Sequence, residues 1–239
     1  MAQDPMTKDR VAIITAAGSG MGAACARELA AQGYKIAVMS ASGKGEALGQ
    51  SLGGLGFTGS NTDPGVLGNV VGTTLDRWGR IDAVINSAGH PPKGKLLEIA
   101  DADWHKGLDM ILLNIIQMAR LVTPIMVKQG GGAFVNISTF AAFEPDPGFP
   151  VSCVLRAGLA GFVKLYADQH AAQNIRMNNV LPGFFDSLPE NPARRDSIPM
   201  KRYGRVAEMA KTVAFLVSDD AGYITGQNIR VDGGVTRSI

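Results

Sequence analysis

Short apolar runs alternate with helix-like segments along the whole chain, and this alternation constrains the fold more than any other feature. The runs VAIITA (11–16), YKIAVMS (34–40), IDAVINSAG (81–89), GAFVNIS (132–138), IRMNNVLPG (175–183) and NIRVDGG (228–234) are brief, and most lack the alternation of a strand with one wet face. Such strands are buried on both sides, as in a parallel sheet covered by helices. Helical stretches fall near 20–32, 43–53, 63–79, 101–129, 151–173 and 206–218, and Thr62, Asp63 and Pro64 read as a capped helix start. No internal repeat or low-complexity linker divides the chain. Right-handed crossovers then imply one α/β domain, a doubly wound parallel sheet of about seven strands with helices on both faces.

Composition removes several function classes. The 239 residues are 46% hydrophobic and 18% charged, and 23 basic against 21 acidic side chains leave a net charge of +2, with no basic cluster. Nothing points to nucleic acid. Cys25 and Cys153, the two cysteines, sit in small apolar helical patterns, so the reading is a reducing cytoplasm, with no disulfide framework and no metal site. The run MILLNIIQMARLVTPIMV is interrupted by Asn114, Gln117, Arg120 and Pro124, which argues against a membrane span. Residues 1–7 read as an expression remnant and unstructured start, and 8–239 as the folded unit.

In doubly wound sheets ligands bind beyond the carboxyl ends of the strands. The first such end is ITAAGSGMGAACARELA, where Gly18, Ser19, Gly20, Met21 and Gly22 leave the strand and enter a helix. A backbone poor in side chains, with free amides at a helix start, suits a pyrophosphate better than it suits a plain tight turn. The spacing is G-x-G-x-G after a threonine, not G-x-G-x-x-G.

With these motifs the chain resembles a classical short-chain dehydrogenase/reductase from about residue 8 to its carboxyl end. The family's T-G-x-x-x-G-x-G stands as Thr15-Ala16-Ala17-Gly18-Ser19-Gly20-Met21-Gly22, with Ala16 for the first glycine. N-N-A-G stands as Asn86-Ser87-Ala88-Gly89, P-G-F-x-x-T as Pro182-Gly183-Phe184-Phe185-Asp186-Ser187, and the last third runs RYGRVAEMAKTVAFLVSDDAGYITGQNIRVDGG. The resemblance implies a Rossmann fold and a nicotinamide dinucleotide cofactor. It assigns cofactor contacts to Gly18, Ser19, Gly20, Met21, Gly22, Ser40, Asn61, Asn86, Ala88, Gly89, Arg156, Pro182, Gly183, Phe185 and Ser187.

The family's catalytic Asn, Ser, Tyr and Lys carry over by position to Ile111, Thr139, Ser152 and Arg156. In the usual mechanism the phenol exchanges a proton with the substrate oxygen, its pKa lowered from near 10 by lysine and cofactor. An aliphatic hydroxyl is a far weaker acid, and an arginine stays protonated. Losing a placed general acid or base costs ~10²–10⁴ in rate. Three readings follow: an oxidoreductase acting on a carbonyl or alcohol by a non-standard proton path, a catalytically silent nucleotide-binding homologue with a regulatory or assembly role, or non-redox chemistry on the same fold.

Relatives that prefer NAD place an acid at the end of the second strand. Here Ser40 stands there with Lys44 four residues on, so NADP(H) is mildly favoured over NAD(H), although Lys44 also reads as a solvated helix residue. His90, Phe140, Phe143, Phe149 and Phe184 fall in segments that border the family's substrate cleft, which suggests a small apolar or aromatic ligand. Core packing explains part of that cluster equally well, and an exposed loop explains His90. Residues 182–200 read as a substrate lid. The resemblance also implies a homotetramer, or a homodimer, built on the helices near 101–129 and 151–173.

Overall fold

The computed structural model describes residues 10–238, so the expected remnant at 1–7 lies outside the described residues. Seven strands form one parallel sheet: β1 (Val11–Ile14), β2 (Lys35–Ser40), β3 (Leu55–Thr58), β4 (Ala83–Asn86), β5 (Gly132–Ile137), β6 (Ile175–Pro182) and β7 (Asn228–Val231). They lie in the order β3-β2-β1-β4-β5-β6-β7. The strand order reverses between β1 and β4, which opens the crevice where ligands of such sheets bind. The helices are α1 (Gly20–Ala31), α2 (Lys44–Ser51), α3 (Pro64–Trp78), α4 (Asp101–Leu108), α5 (Asn114–Gln129), α6 (Pro150–His170), α7 (Pro192–Ser197) and α8 (Val206–Val217).

Successive side chains of a strand point to opposite faces, and both faces here are covered. On β1, Ala12 and Ile14 join a core with Leu29 of α1 and Val213 of α8. Ile13 joins the opposite core, with Val70 of α3, Met118 of α5 and Val163 of α6. This two-sided burial is why the strands read as unbroken apolar runs.

The structure adjusts two expectations. Strand β3, with the sequence LGFT, was not among the six runs, because it lies at the sheet edge and carries a glycine where an apolar side chain would signal it. The single helix expected over 101–129 is two helices joined by a wide π turn, Asp109–Leu113. The two stretches Asp101–Gln129 and Pro150–Gln173 are long and apolar enough to cross a membrane by length and composition, and here they supply the α5 and α6 side chains of the second core. At α3 the expected cap is present, with the Asp63 carboxylate accepting from the amides of Gly65 (2.8 Å) and Val66 (3.3 Å), and Pro64 in the first turn.

Four strands are joined by a buried ladder of asparagines in register. The Asn86 amide donates to Asn136 (2.8 Å), Asn136 to Asn179 (3.0 Å) and Asn179 to Asn228 (2.8 Å), and these residues pair across β4, β5, β6 and β7. By strand alternation Asn136 faces the same side as Phe134, under α5 and α6. Asn136→Ala removes two of these bonds and leaves two buried partners unsatisfied. It should cost about 2–4 kcal/mol, seen as a lower urea midpoint at unchanged slope.

Candidate active site

The turn after β1 is a backbone cradle. The Thr15 hydroxyl donates to the Ser87 carbonyl (3.1 Å) and accepts from the Ser87 amide (3.0 Å), tying the exit of β1 to that of β4. Ser19, at the start of α1, makes no side-chain capping bond, so the first amides of the helix are left for a ligand. A Cβ on Gly18 would lie 2.9 Å from the Ser40 hydroxyl, and one on Gly22 would lie 3.0 Å from the Ala17 backbone. Gly20 has φ +58°, and a Cβ there would be 3.5 Å from Ser187, which therefore stands over the turn from the segment after β6. Uncapped amides, glycines at the three positions where a side chain would crowd or strain the turn, and Ser187 above them fit a dinucleotide's pyrophosphate.

Beside the cradle lies a crevice of about 530 Å³ lined by residues that include Gly18, Ser19, Ser40, Lys44, Asn61, Gly89, Lys106 and Asp109. Ser40 shapes it: its hydroxyl donates to the Ser42 carbonyl (2.5 Å) and accepts from the Gly45 amide (2.9 Å). The Asn61 amide donates to the Ser87 carbonyl (3.2 Å). The Asn86 side chain belongs to the ladder, and Phe185 is packed in the core against Gly204. Pro182 ends β6, and Gly183 passes so close to Asp232 that a Cβ would come within 2.8 Å of its backbone.

The positions carried over from the family tetrad lie just beyond the end of β5, on α6 and in the π turn. Ile111 is buried within that turn. Nearby Asn114 accepts through its side-chain oxygen from the Ile115 amide at 2.8 Å. The Thr139 hydroxyl accepts from the Ala141 amide (3.3 Å) and caps the short turn Phe140–Ala142. On α6 the Arg156 guanidinium donates through Nε to the Ser152 hydroxyl (3.2 Å) and through Nη1 to the Ile137 carbonyl (2.7 Å).

Arg156 is only 8% exposed. Burial alone draws its pKa down to about 10, with no carboxylate opposing the effect, and it remains charged at neutral pH. Of its five N–H groups these two bonds occupy two. Ser138, absent from the sequence-based site, has a buried hydroxyl without a partner at the same strand end. Its neighbours in sequence gave no signal for it, because the family pattern assigns the role to Thr139.

The expected aromatic cluster divides. Phe140 and Phe184 meet edge to face, their centroids 5.5 Å apart, and Phe184 also contacts Tyr203 at 5.9 Å. Arg194 of α7 lies 4.6 Å over Phe184, and Lys93 lies 4.7 Å over Phe149. Phe143 and His90 are exposed. Tyr203, Arg194 and Lys93 were not singled out from sequence, where isolated cations in polar loops look like solvated surface. Ala16 holds the left-handed φ of +47° that the family's glycine would adopt without strain. Ala16→Gly should raise stability by roughly 0.5–1 kcal/mol, read from chemical unfolding.

Comparison with known proteins agrees with this geometry. Residues 15–236 match the family model described as Enoyl-(Acyl carrier protein) reductase. The chain is similar to the 3-oxoacyl-[acyl-carrier-protein] reductase FabG of Thermotoga maritima, 32% identical over 240 residues, covering 95% of this chain and 97% of the relative. It is also similar to Dehydrogenase/reductase SDR family member 4 of Oryctolagus cuniculus, 36% identical over 250 residues, covering 97% and 95%. A cradle after β1, a parallel sheet with its crevice at the strand reversal, and full-length similarity to these reductases lead to one conclusion: the chain belongs to the short-chain dehydrogenase/reductase family.

Proposed function

We propose that this protein is an NADP(H)-dependent oxidoreductase acting on a carbonyl or alcohol group, with Thr139, Ser152 and Arg156 polarising the substrate oxygen in place of a tyrosine acid. The observation that carries the reading is an intact nucleotide cradle beside a buried guanidinium with no carboxylate partner. When bound, the cofactor supplies or accepts the hydride. The first amides of α1 and Ser187 would hold its pyrophosphate, Lys44 would meet the 2′-phosphate, and Arg156 would serve the nicotinamide ribose and the substrate oxygen. Arg156 stabilises negative charge on that oxygen without giving up its proton. The proton then comes from water or from the substrate. Relatives named for 3-oxoacyl reduction support the carbonyl class.

A second reading, nucleotide binding without turnover, is favoured by one observation: Ile111 places a buried apolar side chain where the family has its asparagine. Fluorescence titration with NADPH and NADH, followed by a carbonyl and alcohol panel, separates the two readings. NADPH should bind more tightly, and the wild type should turn over at least as well as the Ile111→Asn/Ser152→Tyr/Arg156→Lys variant. Activity only in that variant favours the silent reading, and no binding at millimolar cofactor overturns the oxidoreductase reading.

The segment 182–200, with Arg194 held over Phe184, serves as the lid. The free, buried cysteines are in keeping with a cytoplasmic setting. Self-association places α5 and α6 against a second copy. Val154 and Leu165 are exposed there, and a groove of about 580 Å³ runs past Ala119, Thr123 and Phe162. Light scattering should give a tetramer or dimer, and Val154→Glu/Leu165→Glu should shift it to monomer. A monomeric wild type contradicts this assembly.

A further inference from the structure

Around the tetrad positions and the segment 182–200, five carboxylates have donors from the chain itself. Glu144 accepts from the backbone amides of Arg237 and Ser238, and Asp146 from Gly148. Asp186 accepts from the Val206 amide, while Glu190 and Asp196 pair with Arg195. Arg156, Lys93 and Arg194 form no ion pair among the described residues, as is also true of Lys44 and Lys106 in the cofactor crevice. Arg156 is more than nine-tenths buried with its Nη2 unbonded, and Lys93 and Arg194 rest on the faces of Phe149 and Phe184.

The two ring-stacked cations flank the tetrad positions. Arg194 covers Phe184, which meets Phe140, the residue after Thr139. Lys93 covers Phe149, which immediately precedes the helix carrying Ser152 and Arg156. Ring faces beneath cations offer apolar surface and positive potential at one place. A buried guanidinium without a counter-charge is costly unless a ligand completes it.

We propose that the substrate is a small carboxylate with an apolar or aromatic body. Its chain lies on the rings of Phe140, Phe149 and Phe184, and its anionic group is held by Arg194 and Lys93 above Arg156. The proposal rests on the oxidoreductase reading and narrows its substrate class. A neutral carbonyl compound would leave Arg194 and Lys93 unmatched, and discrimination against it follows from that mismatch.

Calorimetric titration of the full chain with hydrocinnamate and with methyl hydrocinnamate, which share one body and differ in charge, tests the proposal without turnover. The acid should bind about tenfold more tightly than the ester. The Lys93→Gln/Arg194→Gln variant should bring the two affinities together while its affinity for NADP⁺ stays unchanged. Equal affinities in the wild type overturn the proposal. So does tighter binding of a pantetheine thioester than of the free acid, because the anion would then be a carrier arm. Each titration is run with and without NADP⁺. Failure to bind NADP⁺ counts against the oxidoreductase reading, while the ratio of acid to ester still decides the substrate class.

Discussion

The asparagine ladder is the interaction on which the placement of the site depends. Asn86, Asn136, Asn179 and Asn228 join β4, β5, β6 and β7 side chain to side chain, each amide donating to the next. A parallel sheet packed with apolar side chains on both faces would tolerate a register slip in its core. Buried amides do not, because a slip by one residue sends an asparagine to the other face with its partners unmatched. The strand ends at Asn86 and Ile137 are therefore held level, and from them Ser87 reaches Thr15 and Arg156 reaches Ile137. The cofactor cradle and the tetrad positions share one set of coordinates through this row.

That scaffold carries the glycine turn after β1 and the Ser152–Arg156 pair of α6 on which the proposed reading rests. The cradle retains Gly18, Gly20 and Gly22, and replaces the first glycine with Ala16 at a strained left-handed conformation. The serine and arginine of α6 face each other at 3.2 Å, but neither is a phenol or an ammonium. In the proposed reading Arg156 holds negative charge and does not donate a proton. Its bond to the Ile137 carbonyl also fixes it more rigidly than a lysine's single rotatable head would be fixed.

Much of this was legible in the sequence, for physical reasons. Unbroken apolar runs exposed six strands because both sheet faces are covered, and the glycine spacing after Thr15 exposed the cradle because only a bare backbone fits there. The i, i+4 relation of Ser152 and Arg156 survived intact because a helix preserves it. Other features depend on residues brought together from far apart. The ladder's members are some 40 to 50 residues from one another in the chain, and no local pattern links them. The edge strand LGFT gave no apolar signal. Lys93 and Arg194 gained meaning only once rings were seen beneath them.

The wide turn at Asp109–Leu113 has a mechanical consequence apart from the residue it carries. A π turn holds one residue more than an α turn, so it acts as an angular adapter between α4 and α5. Each α-helical residue advances the helix by about 100°. Were that surplus residue absent, α5 would arrive rotated by about that amount, and Met118, Val122 and Met126, which now meet the sheet, would face sideways. The phase of α5 depends on this turn whatever side chain stands at Ile111.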